Sequence, residues 1–513
     1  MTRKKIEPPY YPIIYIRGYA ATMGEMEETV ATPYMGFNLG STKIRQDFEN
    51  RIQRFIFESP LIRLMKDEEY VDAYKDGDFS APDDPVQPRS VWIYRYYEPG
   101  TESLGDGEKD EIEEYARGLG DFIDRVKRSV CQGDAAQEAK FKVYLVAHSM
   151  GGLIARCYLQ NIRRNGEHHV DKLFTYGTPH NGIEVLGLNV PKWLGGFNMN
   201  NFNRKRMREF MKIQGGGDGR ADSLDGAFPP DRSFCFVGTN YRDYEAFFGL
   251  SKKGTGPLSD GLVMIKNATI QGAPRAFAHR SHSGHYGIVN SEEGYQNLRR
   301  FLFGQVRVDV QLLFEEVPLP PKVQKAYDKD HDSVRANYDI DVRATVRGGN
   351  VLLNERRTSQ ASAVRIGYDR AVKQGVPAYL FSGFLHRAAK TESKGDTALG
   401  FAVFLGINVP VFEIDKRFWF DEHFEGAEML REQVTFHVRE RDGRMTVRYG
   451  FAGRDGANQA PRRGELSEPD EHGAVHVDLP IGFKEGISEQ RKPRPGFRGK
   501  LRLRLTPWNR EDA

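Results

Sequence analysis

The sequence predicts an α/β domain with a mostly parallel sheet and a cap, followed by an all-β sandwich domain. Three observations carry that expectation. Up to residue 304, apolar β-branched runs alternate with amphipathic helical patterns, the order that builds a parallel sheet. Residues 141–162 place a strand, a small-residue turn and a helix in immediate succession. After Gly304 the period becomes two, with Val306, Val308, Val310 and Leu312 alternating with Arg307, Asp309 and Gln311. The expected boundaries are 1–304, with a cap at about 183–230, and 305–513. A chain of 513 residues exceeds one typical core, so two domains are expected on length alone.

Composition narrows the class. The chain is 39% apolar and 28% charged, ordinary for a water-soluble protein, and its formal net charge of +3 does not argue for nucleic acid. Cys131, Cys157 and Cys235 are scattered and odd in number, so no disulfide framework is implied. Basic residues near Met1 are not followed by an apolar signal core. No run approaches the ~18 apolar residues that span a bilayer. These features predict a cytoplasmic location, with export by a route needing no cleaved signal left open.

The stretch 141–162 is the organising one. Phe141, Val143, Leu145 and Val146 lead into Ala147-His148-Ser149-Met150-Gly151-Gly152, and Leu153, Ile154, Cys157, Tyr158 and Ile162 continue at helical spacing. A serine on a sharp strand-to-helix turn is a nucleophile elbow. Small neighbours let the turn close, and the backbone N–H of Met150 at the helix start is free for an oxyanion. Upstream, the strand at 12–16 ends in Arg17-Gly18-Tyr19, where a second oxyanion donor is expected from the N–H of Tyr19. A helix-like segment is expected around 44–57, then a strand at 90–97 and an amphipathic helix at 108–130.

The strand at 170–176 leads to Gly177-Thr178-Pro179-His180-Asn181-Gly182, where His180 is read as ordering the loop. The cap contains Phe202, Met207, Phe210, Met211 and Ile213 among Arg204, Lys205, Arg206, Arg208 and Lys212. Such a pattern suits a lid, contact with an acidic lipid surface, or a plain surface helix. Past the strand at 233–238, Asp260 is the favoured acid, with Asp243 and Glu245 as alternatives. Beyond the next strand, at 276–280, His285 is the favoured base and His282 the alternative; His279 lies within that strand.

These motifs resemble the α/β-hydrolase superfamily in its lipase and esterase branch, and bacterial triacylglycerol lipases in particular. The resemblance covers the first 304 residues and rests on the elbow, on residues 177–182, on Ser259-Asp260-Gly261-Leu262-Val263 and on His285-Tyr286-Gly287-Ile288-Val289. It implies Ser149 as nucleophile, His285 as base and Asp260 as acid, with Tyr19 and Met150 as backbone oxyanion donors. It also implies cleavage of a carboxylic ester of a lipid or other hydrophobic acyl group, with no metal or organic cofactor. Arg17 departs from the family, which commonly has histidine there. An acyltransferase, a thioesterase or amidase, or a binding protein on this scaffold are the competing readings.

In the second domain, alternating runs at 338–346, 378–385, 399–404, 434–438, 445–449, 475–479 and 501–505 read as strands, about eight in all with the first. Arg441-Asp442-Gly443-Arg444 is a hairpin signal, and 424–432 reads as an isolated helix. Lys500, Arg502 and Arg504 share a face, read as solvated. This half shows no catalytic set, and its partner is not legible.

Overall fold

The computed structural model describes residues 4–18, 29–47, 49–75, 78–79, 84–96, 98, 110–164, 168–185, 188–189, 199–215, 219–243, 258–319, 321–331, 334–346, 351–388, 398–409, 412–414, 427–441, 444–452, 460–483, 486–487, 493–494 and 496–509. It divides into two compact units, Met1–Phe303 and Gly304–Ala513.

In the first unit, seven strands make one parallel sheet. They are β1 (Ile13–Ile16), β2 (Val71–Asp72), β3 (Ser90–Tyr94), β4 (Val143–His148), β5 (Val170–Tyr176), β6 (Ser233–Gly238) and β7 (Arg275–Ala278). Their order is β7-β6-β5-β4-β1-β3-β2, every neighbour parallel. All six residues of β4 are buried. This is why its sequence is a continuous apolar run and not an alternating one: a parallel strand is covered on both faces. One layer of cover includes α1 (Ile112–Cys131), whose Ile112, Tyr115, Leu119, Ile123, Val126 and Val130 are buried, against α2 (Met150–Cys157). Further along lie α3 (Arg204–Phe210) and α4 (Glu292–Phe303).

The segment 44–57 is not helical. Ser41–Gln46 and Ile52–Phe57 pair antiparallel, with Ile44 opposite Arg54. The turn decides it: the Asp47 carboxylate accepts the N–H groups of Glu49 and Arg51 at 2.9 and 3.0 Å, and the Asp47 N–H donates to the Arg51 carbonyl. An aspartate that satisfies its own turn competes with helix propagation. The cap region contains a short antiparallel pair, Glu184–Val185 with Leu188–Asn189, besides α3.

The second unit is an antiparallel β-sandwich. Its strands include β8 (Val306–Glu316), β9 (Val334–Val346), β10 (Leu352–Arg356), β11 (Val364–Gly367), β12 (Ala378–Leu385), β13 (Leu399–Val409), β14 (Ala427–Arg441), β15 (Arg444–Phe451), β16 (Arg462–Arg463), β17 (Val475–Phe483) and β18 (Phe497–Pro507). One sheet is β12-β8-β18-β17. The other runs β10-β9-β13-β14-β15-β16, with β11 and Phe412–Ile414 also pairing with β9. Inward residues of both sheets, among them Val310, Leu503, Val403 and Phe436, share one apolar core. The helix expected at 424–432 is the start of β14 from Ala427 onward, because its residues pair with β13 from Val409 to Leu399; residues 424–426 lie outside the described ones. Arg441 and Arg444 are register partners, while Asp442 and Gly443 between them also lie outside the described residues.

One buried cation in the first unit has a measurable consequence. Lys172 on β5 is fully buried, donates to the Leu302 carbonyl at 2.9 Å and lies over the rings of Tyr144 and Phe301. Burial lowers its pKa from 10.5 to about 7, with Asp171 opposing the shift. The unfolded chain therefore binds the extra proton between those values, so this group makes stability rise from pH 7 toward 10.5. Lys172→Met is expected to flatten that rise, as read by urea unfolding midpoints across the alkaline range.

Candidate active site

Strand β4 delivers Ser149 to the carboxyl edge of the sheet. Ser149 has φ 51° and ψ −123°, a conformation a side-chain-bearing residue seldom adopts, and its N–H donates to the Tyr176 carbonyl at 3.0 Å. The elbow holds because its neighbours lack side chains where the chain crosses. A Cβ on Gly151 would lie 2.5 and 2.6 Å from the carbonyl oxygens of Ile16 and Arg17. A Cβ on Gly18 would lie 2.7 Å from the Ser149 Cβ. Met150 opens α2, so its N–H has no intrahelical acceptor and is available to a ligand at the elbow. Tyr19 lies outside the described residues.

His282 Nε2 lies 3.0 Å from Ser149 Oγ, and His282 Nδ1 lies 2.7 Å from Asp260 Oδ2. All three residues are buried. A carboxylate oxygen can only accept, so Nδ1 carries the proton and Nε2 is left to accept from the serine hydroxyl. The second carboxylate oxygen is held by the N–H groups of Leu262 and Val263 at 3.0 and 2.8 Å. Backbone geometry joins the two loops as well, since the His282 N–H donates to the Asp260 carbonyl at 2.9 Å.

His285, the base expected from the sequence, is not the histidine that lies beside Ser149. His285 is exposed, and its carbonyl takes the N–H of Thr42. The loop after β7 turns back at Ser283-Gly284, where the Gly287 N–H meets the Gly284 carbonyl, so the histidine three residues earlier faces inward. Asp243 accepts from Asn240 Nδ2 at 2.6 Å and takes no part in the relay; Glu245 lies outside the described residues. His279 stands just past β7, also outside the relay.

Two contributors were not legible as such. His148, one residue before the serine, is buried; its Nε2 donates to the His282 carbonyl at 3.1 Å, with the two rings 4.9 Å apart. Burial, then the adjacent His282 and Arg17, drive its pKa well below the ordinary histidine value. The ring is therefore neutral and lies behind His282. Arg156 is fully buried within α2 and donates to the carbonyls of His180, Ala221 and Ser223 at 3.0, 2.8 and 2.8 Å. It ties the loop after β5 to the end of the cap. The only available signal was a lone arginine on an otherwise apolar helix, which reads as a surface position.

His180 itself is buried away from the relay, with Nε2 3.0 Å from Thr175 Oγ1. The basic stretch 202–213 is turned inward: Met207, Phe210 and Met211 are buried, Arg206 pairs with Glu111 and Glu113, and Arg208 donates to the Arg220 and Gly215 carbonyls. Its apolar face is occupied by the unit's own core and is not presented to a lipid surface.

The sheet order and the strand, serine turn and helix are those of the α/β-hydrolase fold. Residues 99–211, which contain the elbow, match the family model described as palmitoyl protein thioesterase. Phospholipase PlaB from Legionella pneumophila is similar over 77% of this chain and 85% of its own, at 11% identity and a TM-score of 0.34. The putative cell surface hydrolase from Lactobacillus plantarum covers 58% of this chain and 92% of its own, at 14% identity and a TM-score of 0.24. The metagenomic carboxyl esterase MGS0156 covers 54% and 66%, at 12% identity and a TM-score of 0.26. Comparison with curated proteins finds no match.

Two outcomes are expected from substitution. His282→Ala lowers hydrolysis of an activated ester roughly 10⁴-fold or more, whereas His285→Ala leaves the rate unchanged, as measured by steady-state kinetics. Arg156→Met strands three buried carbonyls and lowers unfolding free energy by about 3 kcal/mol in urea titrations.

Proposed function

We propose that this protein is a serine hydrolase that cleaves hydrophobic acyl esters through an acyl-enzyme. The observation carrying the reading is the pair of hydrogen bonds that runs from Ser149 Oγ through His282 to Asp260. In that reading His282 Nε2 takes the Ser149 proton as Oγ attacks the acyl carbonyl. Asp260 holds the imidazolium that forms and keeps its Nδ1 proton directed. The Met150 N–H, with a second backbone donor proposed at Tyr19, stabilises the tetrahedral oxyanion. Each such donor is typically worth about 3 kcal/mol of barrier. His282 then protonates the leaving oxygen, and a water activated by the same nitrogen cleaves the acyl-serine.

A thioester is the second substrate class, and the palmitoyl protein thioesterase description of the family matched at 99–211 favours it. The same groups serve, and a thiolate leaves more readily than an alkoxide because its conjugate acid is far stronger, with a pKa of about 8.5. Fluorophosphonate labelling followed by peptide mapping is expected to place the adduct on Ser149. Ser149→Ala is expected to abolish turnover of both p-nitrophenyl acyl esters and acyl-coenzyme A. An adduct elsewhere, or equal rates in wild type and variant, would overturn the reading. The ratio of ester to thioester turnover at matched acyl length decides between the two classes.

A further inference from the structure

Two basic faces of the second unit differ in how their charge is met. On β18 of the smaller sheet, Lys500 pairs with Glu315, Arg502 with Asp478 and Arg504 with Asp470, at 2.7, 2.7 and 2.6 Å. That basic face is neutralised. On the larger sheet, the core side of β14 and β15 is taken by Val434, Phe436, Val438, Met445 and Val447. The alternate positions face outward: Arg431, Gln433, Thr435, His437 and Arg439 on β14, then Arg444, Thr446 and Arg448 on β15. Register sets Arg448 between His437 on one side and Arg463 of β16 on the other, with Arg439 opposite Thr446. None of these outward positions is acidic.

Arg444, Arg448 and Arg463 are exposed, and among the described residues their side chains have no carboxylate partner. Acids return further across the sheet, where Arg357 pairs with Glu355 at 3.1 Å. Arg343 stacks 4.8 Å over Phe404, and its pKa is lowered by burial, then by the neighbouring charge of Arg357, with Glu355 opposing the shift, Arg431 adding to it and Asp341 opposing it. Adjacent strands lie about 4.8 Å apart, so Arg448 and Arg463 stand side by side on a pleated surface, with Arg444 further along the same strand as Arg448. The chain carries 74 basic and 71 acidic residues, so outward positions of β14 and β15 that hold arginine and, among the described residues, no acid are a local segregation and not a by-product of net charge.

We infer that the outer face of β14–β16 is a docking surface for a membrane bearing anionic lipid headgroups. Charge complementarity selects an anionic partner, and the breadth of an open sheet matches an extended surface. The choice of a membrane over another polyanion rests in part on the acyl-ester reading above, since such substrates concentrate in lipid surfaces. Each arginine near an anionic membrane contributes about fivefold to binding, so removing three is expected to cost about a hundredfold.

The test is co-sedimentation of the full chain with vesicles of phosphatidylcholine alone and of phosphatidylcholine mixed with phosphatidylglycerol, at low and high salt. Binding is expected only with phosphatidylglycerol, weakening as salt rises. The triple variant Arg444→Gln, Arg448→Gln, Arg463→Gln should lose it, and the corresponding lysine variant should keep most of it. Both should hydrolyse a soluble short-chain ester at the wild-type rate, which shows that they are folded. Equal vesicle binding by the glutamine variant, binding to pure phosphatidylcholine, or tight binding to heparin or duplex DNA with none to vesicles would overturn the inference. Vesicle binding does not require turnover, so its failure and the failure of the hydrolase reading are separate results.

Discussion

A serine held at positive φ between a buried strand and a buried helix sets the terms for everything around it in the first unit. The conformation is costly, of order 1–3 kcal/mol, and persists only where surrounding packing over-determines it. Here β4 is enclosed on both sides by parallel neighbours, β1 and β5, and the chain leaving β1 passes so near the elbow that Gly18 and Gly151 have no room for a Cβ. The consequence is chemical. Ser149 Oγ is lifted to the sheet's carboxyl edge, where loops from β6 and β7 can reach it.

Those loops are organised by backbone as much as by side chain. The Asp260 carboxylate is fixed by two N–H groups of its own turn, and its main-chain carbonyl receives the His282 N–H. Asp260 and His282 therefore arrive as one assembly, with His148 holding His282 from behind through its carbonyl. A neutral, buried His148 suits that part: an imidazolium there would face His282 and Arg17 with no compensating carboxylate, which is the direction its pKa shift records. Farther out, Arg156 uses a buried guanidinium to satisfy loop carbonyls that would otherwise be stranded beneath the cap. In the second unit the basic face of β18 is met by ion pairs, while Arg444, Arg448 and Arg463 on the other sheet are exposed.

Local patterns were enough to place the main elements of both units. A buried parallel strand, a 3.6-period helix and a period-two ladder each leave a signature within ten or so residues, which is why β4, α1 and the β8 run could be read directly. The departures from helix at 44–57 and 424–432 have one cause. Apolar residues in those windows satisfy helical spacing by accident, and the deciding contacts lie elsewhere: a side chain closing a turn in one case, a partner strand in the other.

Sequence by itself placed the strand, turn and helix around Ser149, the chain order of Ser149, Asp260 and the histidine-bearing loop, and the change from parallel α/β to antiparallel β near Gly304. Each follows from residue type and spacing within a short window. Only tertiary structure decided which histidine meets the serine. His282 and His285 are chemically alike and three residues apart, and the direction each faces depends on how the loop after β7 folds against Asp260 and the Thr42 strand. A pairing across more than one hundred residues is set by packing, and no local periodicity encodes it.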